Sequence, residues 1–258
     1  RAAQMRSAEW QGDAGQAHAM GAFLRAERRT LAHLVQAAWA LLLHRYADTD
    51  DVVFGWVVSD RPAALADVEH MVGLMVDTVP MRVQLDGAST ARQLLADIAA
   101  ASVDLAEHAH LPLTEIQRLA GLDAGDALFD TIVVIENLPT RPPGTGAELR
   151  VLERRAHWRT SYALSLMAAF EDRLKLQIAY NQRQYAPATV ERLLGQLSRL
   201  LRLIVDKPGA TLAQIVAAAA MDEGLATVHG PATAGRHRRR VGRPGRARPP
   251  TADRDPAP

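Results

Sequence analysis

Seven consecutive residues, Val52-Val53-Phe54-Gly55-Trp56-Val57-Val58, contain no charged, hydroxyl or amide side chain. A strand with one wet face would alternate, so this run reads as a central strand covered on both faces. Its flanks agree. Asp48 to Asp51 is a polar break, and Ser59-Asp60-Arg61-Pro62 ends the run, because proline gives a central ladder no donor. Phe129 to Glu136 (FDTIVVIE) is a second strand of the same type. Buried strands need covering layers, and the chain supplies helices for them.

Leu31, Leu34, Val35, Ala38, Leu42 and Tyr46 form an apolar stripe and predict a helix over Thr30 to Tyr46. A second helix starts at Thr90, with Gln93 set for a capping box, and runs to about His108 on Leu94, Leu95, Ile98 and Leu105. Pro112 ends it, and Leu113 to Ala120 is a shorter one. Pro187 suits a first helical turn, where its missing N–H costs nothing. The strongest helical period follows, on Val190, Leu193, Leu194, Leu197, Leu201 and Ile204, and stops at Lys207-Pro208-Gly209. Shorter strands are predicted at Val79–Leu85, Leu149–Leu152, Tyr162–Ala169 and Leu174–Tyr180. The last alternates cleanly, with Lys175 and Gln177 opposite Leu174, Leu176, Ile178 and Tyr180. Glu171-Asp172-Arg173 is the turn before it. The fold class is α/β, a mixed β-sheet layered with helices.

Residues 30–215 read as the domain, residues 1–29 as a poorly defined N-terminal segment, and residues 216–258 as a linker and tail. In that tail Arg236, Arg238, Arg239, Arg240, Arg243, Arg246 and Arg248 are interleaved with Gly and Pro, without an aliphatic stripe. The expectation is disorder, since too little apolar surface can be buried to offset ordering. A nucleic-acid arm is disfavoured, because aromatic residues for base stacking are missing. Both Arg1 to Gly21 and the tail read like GC-rich DNA translated out of frame, which makes a truncated or frameshifted gene the first expectation.

With no cysteine, disulfides, thiolate metal sites and a cysteine nucleophile are excluded. The formal net charge of +1 gives the chain no strong overall field. No apolar run approaches the roughly 20 residues that span a bilayer, and no signal-peptide pattern is present, so a cytoplasmic location is expected. P-loop, dinucleotide-binding and nucleophile-elbow motifs are absent. His108 and His110 flank Ala109 before Leu-Pro-Leu, which suits a helix end better than a metal site.

Five segments, in this order, carry a resemblance. Asp51-Val52-Val53-Phe54-Gly55 with Ser59-Asp60-Arg61-Pro62 resembles D-D-V-V-F-G … S-G-R-P. Val72-Gly73-Leu74-Met75-Val76-Asp77-Thr78-Val79-Pro80-Met81-Arg82 is similar to V-G-x-F-V-N-T-x-x-x-R, and His108-Ala109-His110-Leu111-Pro112 to H-Q-x-x-P. Leu128 to Asn137 resembles L-F-D-T-L-V-V-F-E-N, and Thr160-Ser161-Tyr162-Ala163-Leu164 resembles T-N-Y-P-L. These are motifs of the condensation domains of nonribosomal peptide synthetases, and the match covers about Thr30 to Ile215.

The resemblance implies the C-terminal half of a chloramphenicol-acetyltransferase-like fold, in which two halves meet along a cleft. Carrier proteins are the implied partners, together with the N-terminal half. They present 4′-phosphopantetheine arms, and no cofactor is expected to bind this chain directly. The reaction joins two carrier-bound thioesters, the acceptor's amine attacking the donor's thioester carbon. The family's catalytic signature, H-H-x-x-x-D-G, belongs to the N-terminal half, and among the nine histidines here no two are adjacent. No catalytic or metal-ligating residue is therefore assigned, and the chain is expected to be inactive alone. A related acyltransferase, an epimerization domain or a non-catalytic scaffold are the alternatives. Candidate cleft residues are Asp77, Thr78, Thr160, Ser161 and Tyr162. Asp77 and Ser161 stand where the family has Asn, and an ionised Asp accepts hydrogen bonds without donating. Each segment also has a purely structural reading: a turn at Gly73, an edge strand at Pro80, a buried ring at Tyr162. A half-domain would expose its partner-facing surface, so self-association is expected.

Overall fold

The computed structural model describes residues 5–59, 67–73, 75–123, 126–136, 160–170 and 172–221. Thr227–Pro258 separates as a second unit and lies outside the described residues, as do the predicted strand at Leu149–Leu152 and the Arg61-Pro62 stop. The elements run β1 (Met5–Gln11), α1 (Ala14–Ala26), α2 (Leu31–Ala47), β2 (Asp51–Ser59), β3 (Val76–Gln84), α3 (Ala91–Glu107) and α4 (Leu113–Leu119). After these come β4 (Thr131–Glu136), β5 (Leu164–Phe170), β6 (Leu174–Asn181), α5 (Pro187–Asp206) and α6 (Leu212–Met221).

Among the described residues six strands form one mixed sheet in the order β1-β6-β5-β4-β2-β3. The two parallel pairs, β5–β4 and β4–β2, lie at its centre, and the outer pairs are antiparallel. The inner face, carrying Phe54, Met81, Val133, Leu166, Leu176 and Ile178, joins the helix side chains in one core. Helix α2 is the central helix of that layer. Every residue from Leu34 to Leu42 is buried, so its polar stripe has vanished, as happens when a helix is covered all round. Pro80 sits on β3, the edge strand among the described residues, where a missing N–H is tolerated.

Local sequence explains the helix starts. Thr30 and Thr90 accept from the backbone N–H three residues on, and His33 and Gln93 return the bond to the cap backbone. Pro187 occupies the first turn of α5. His108 caps α3, its Nδ1 2.8 Å from the Asp104 carbonyl. Among the described residues no three His, Asp or Glu side chains are grouped as a metal would need, and no helix is long and apolar enough to cross a membrane.

The N-terminal segment corrects the sequence reading. The segment expected to be poorly defined, residues 1–29, contains β1 and α1 among its described residues. Strand β1 pairs with β6 along its whole length, and α1 opens with a capping box between Asp13 and Gln16. Trp10 of β1 packs on the core and Ala17 and Met20 of α1 are buried, so this stretch is part of the fold. The lower boundary of the tail moves as well, since α6 carries the helix through Met221.

Candidate functional site

The strand register decides which candidate residues can act together. Asp77 pairs with Val58 and Thr78 with Val57, at the C-terminal end of β2. Gly55 pairs with Ile132 on β4, and Thr131 with Leu164 on β5. Carried along the strands, this register sets Asp77 level with Ile135 and Tyr162 level with Phe129. The two groups are thus roughly 20 Å apart along the strand direction, at ~3.3 Å per residue. They occupy opposite ends of the sheet, with the width of β2 and β4 between them as well. Thr160, Ser161 and Tyr162 do come together; Asp77 and Thr78 stand apart from them.

The first three residues line a polar pocket of about 330 Å³ with Phe129, Asp130, Asn181 and Gln184. Several contacts shape it. The Phe129 ring stacks on Tyr162 with centroids 5.5 Å apart and planes at 24°. Phe129 in turn lies over Gly55, where a Cβ would come within 2.4 Å of its ring. Thr160 Oγ1 is 2.7 Å from the buried Ser165 hydroxyl. The Ala163 N–H donates to the Asp130 carbonyl, which closes the mouth of β5 against the approach to β4. Deeper in, the Trp39 indole N–H donates to Thr131 Oγ1 over 3.3 Å and pins α2 beneath the pocket.

Burial raises the Tyr162 hydroxyl above its ordinary range, so at neutral pH it is a neutral group able to donate. Tyr185 is raised by burial first and by the nearby Asp130 carboxylate second. Among the described residues the pocket therefore combines one carboxylate, an amide pair and hydroxyls, with no cation in its lining. Sequence reasoning did not single out Asp130, Asn181 or Gln184. Asp130 stood inside the FDT stretch, whereas Asn181 and Gln184 follow a strand end without a signal of their own.

Between the two groups runs the outer face of the sheet. Val57, Thr78, Val134, Met167 and Ala169 are half-buried there, whereas the inner face is sealed by helices. A shallow, largely apolar surface with a hydroxyl at Thr78 and a polar pocket at Tyr162 is suited to an extended substrate laid across it.

Residues 2–223 match the family model described as Condensation domain. The chain belongs to the condensation-domain family. It is 38% identical over 196 residues to a component of the linear gramicidin synthase of Brevibacillus parabrevis, covering 75% of this chain and 2% of that protein. Over 195 residues it is 32% identical to surfactin synthase subunit 3 of Bacillus subtilis (strain 168), covering 74% of this chain and 15% of that protein. The chain thus spans a small part of each of these relatives. The first condensation domain of the CDA synthetase superposes with a TM-score of 0.66 at 18% identity, covering 83% of this chain and 47% of that structure. A four-domain nonribosomal peptide synthetase bound to AMP and glycine superposes with a TM-score of 0.72 at 16% identity, covering 82% of this chain and 17% of that one. These likenesses show that the α/β layered fold is that of condensation domains.

Proposed function

We propose that the chain is the C-terminal half of a condensation domain and forms one wall of a cleft for amide-bond formation in nonribosomal peptide synthesis. The observation that carries this reading is one of proportion. The family model matches residues 2–223, yet 83% of this chain overlays only 47% of a condensation-domain structure. Two such halves make the chloramphenicol-acetyltransferase-like domain.

In the proposed reaction the acceptor's amine forms the C–N bond to the donor's thioester carbon, the C–S bond breaks, and the donor's pantetheine thiol leaves. Both arms are held by carrier proteins, the proposed partners with the N-terminal half. This chain contributes positioning. Thr78 meets one arm on the outer face at the β2–β3 end, Asp77 flanks it from the opposite face of the strand, and Thr160, Ser161 and Tyr162 meet the other arm at the β5 end. The amine's proton needs a base, and the paired histidines that supply it in the family belong to the other half.

The test uses two loaded carrier proteins. The chain alone forms no amide, whereas addition of an N-terminal condensation half carrying H-H-x-x-x-D-G restores product, because general-base work is worth about 10²–10⁴-fold. Turnover by the chain alone, lost on Asp77→Ala, would show the half-domain reading to be wrong.

A further inference from the structure

A second cavity lies on the helix side of the sheet, at the opposite end from Tyr162. It is lined by α1 and the C-terminal half of α5, with Trp10 of β1 and Leu174 of β6. Its volume is about 220 Å³. The floor is apolar: Met20, Leu174 and Leu201 are buried, and Trp10 packs against the core beside them. An apolar cavity of about 150 Å³ already takes up a benzene ring, so this one has room for a benzyl or isobutyl group.

The rim is different in kind. Arg202 and Asp206 both line the opening, one helical turn apart on α5, and both are exposed. At that spacing their side chains leave the helix from one face, with Cβ atoms about 5–6 Å apart. Neither forms an ion pair with any described residue. Asp206 is also the last residue of its helix, where the negative end of the macrodipole disfavours a carboxylate. Beside the cavity mouth this carboxylate and the negative end of the dipole make an acceptor for a cation, with the Arg202 guanidinium one turn away. Arg202 offers a planar donor fork for a carboxylate beside it.

We propose that this cavity is a binding site for a free α-amino acid with a large apolar side chain. The side chain enters between Met20 and Leu201, the α-carboxylate pairs with Arg202, and the α-ammonium pairs with Asp206. The site is independent of the cleft. It requires neither carrier proteins nor the other half of the domain, and its ligand is unattached.

Titration calorimetry of the 258-residue chain tests it with three probes: L-phenylalanine, L-phenylalaninamide, which lacks the carboxylate, and 3-phenylpropionate, which lacks the ammonium. Phenylalanine binds saturably at one site, and each analogue binds about tenfold more weakly, the worth of one charge-assisted hydrogen bond. Arg202→Gln weakens phenylalanine about tenfold and leaves the amide unchanged, and Asp206→Asn does the same for phenylalanine while leaving phenylpropionate unchanged. Both positions are exposed, so neither variant endangers folding. Ser198→Trp, which fills the cavity from its half-exposed wall, abolishes binding of all three. Absence of saturable phenylalanine binding, equal affinity for the three probes, or a phenylalanine affinity left unchanged by either charge variant would overturn the proposal.

Discussion

Arg82 closes on Asp51 with two parallel hydrogen bonds, Nε to Oδ1 at 2.8 Å and Nη2 to Oδ2 at 2.7 Å, tying the end of β3 to the start of β2. These are the first residue of one family-like segment and the last of another, so the pair accounts for both without any catalytic role. The Arg82 hydrogen bond is the main reason that the Asp51 carboxyl titrates below its ordinary value; burial works the other way, and Arg82's charge adds to the lowering. Both side chains are about half exposed. Solvent screening therefore limits the pair to about 0.5–1 kcal/mol. Arg82→Gln is expected to lower the unfolding free energy by that amount at pH 7. A carboxylate with a depressed folded pKa stabilises above its unfolded value and loses that contribution as pH falls through the folded one. The gap between parent and variant, followed by urea unfolding, closes in acid; a gap that persists there would mean that Asp51 is not the partner that matters.

Gly55→Ala tests the support of the polar pocket. The new Cβ would meet the Phe129 ring at 2.4 Å and Ile132 Cγ2 at 2.8 Å. Overpacking of this kind costs about 1–3 kcal/mol, and it also lifts Phe129 from Tyr162. Restoring room with Phe129→Leu in the same chain should recover part of the stability but not the stacked ring. Near-ultraviolet circular dichroism distinguishes the two effects.

Gln36 offers a gain. It is fully buried on α2, and neither its amide nitrogen nor its oxygen finds a partner among the described residues. An unpaired buried amide costs about 1–3 kcal/mol, so Gln36→Met should raise the thermal midpoint. A lowered midpoint would show that the amide is satisfied by bound water.

Removal of residues 1–29 is the sharpest check on the N-terminal segment. It strips β1 from β6 and uncovers the Trp10 and Met20 contacts, leaving β6 as an open edge. The truncated chain should unfold at a markedly lower temperature and associate, as seen by light scattering. An unchanged midpoint would return that segment to the undefined status that its sequence suggests.

The contrast between α5 and β1 explains what the sequence could disclose. On α5 six aliphatic positions recur at one spacing because one face is sealed and the other wet, which leaves a plain period. Strand β1, Met-Arg-Ser-Ala-Glu-Trp-Gln, is an edge strand with no fully buried residue, so hydrophobicity marks it too weakly to notice. The one available signal was the capping box Asp13 to Gln16, just after it. The site was legible in composition but not in arrangement. Thr160, Ser161 and Tyr162 were close in sequence and remain so in space, whereas their distance from Asp77 is set by three strand registers that no local pattern encodes.

Because Met5 pairs with Asn181, strand β1 waits longer for its partner than any other strand of the sheet. At ribosomal rates of about 5–20 residues per second, β1 is made on the order of ten seconds or more before β6 exists to receive it. Throughout that time its backbone donors and acceptors are open to any neighbouring strand, and the charges of Arg6 and Glu9 are its own defence against mispairing. Strands β2, β3, β4 and β5 can pair with one another as the chain emerges, but β1 can join the sheet only after synthesis has passed residue 181, so the strand made first among them is the last to be placed.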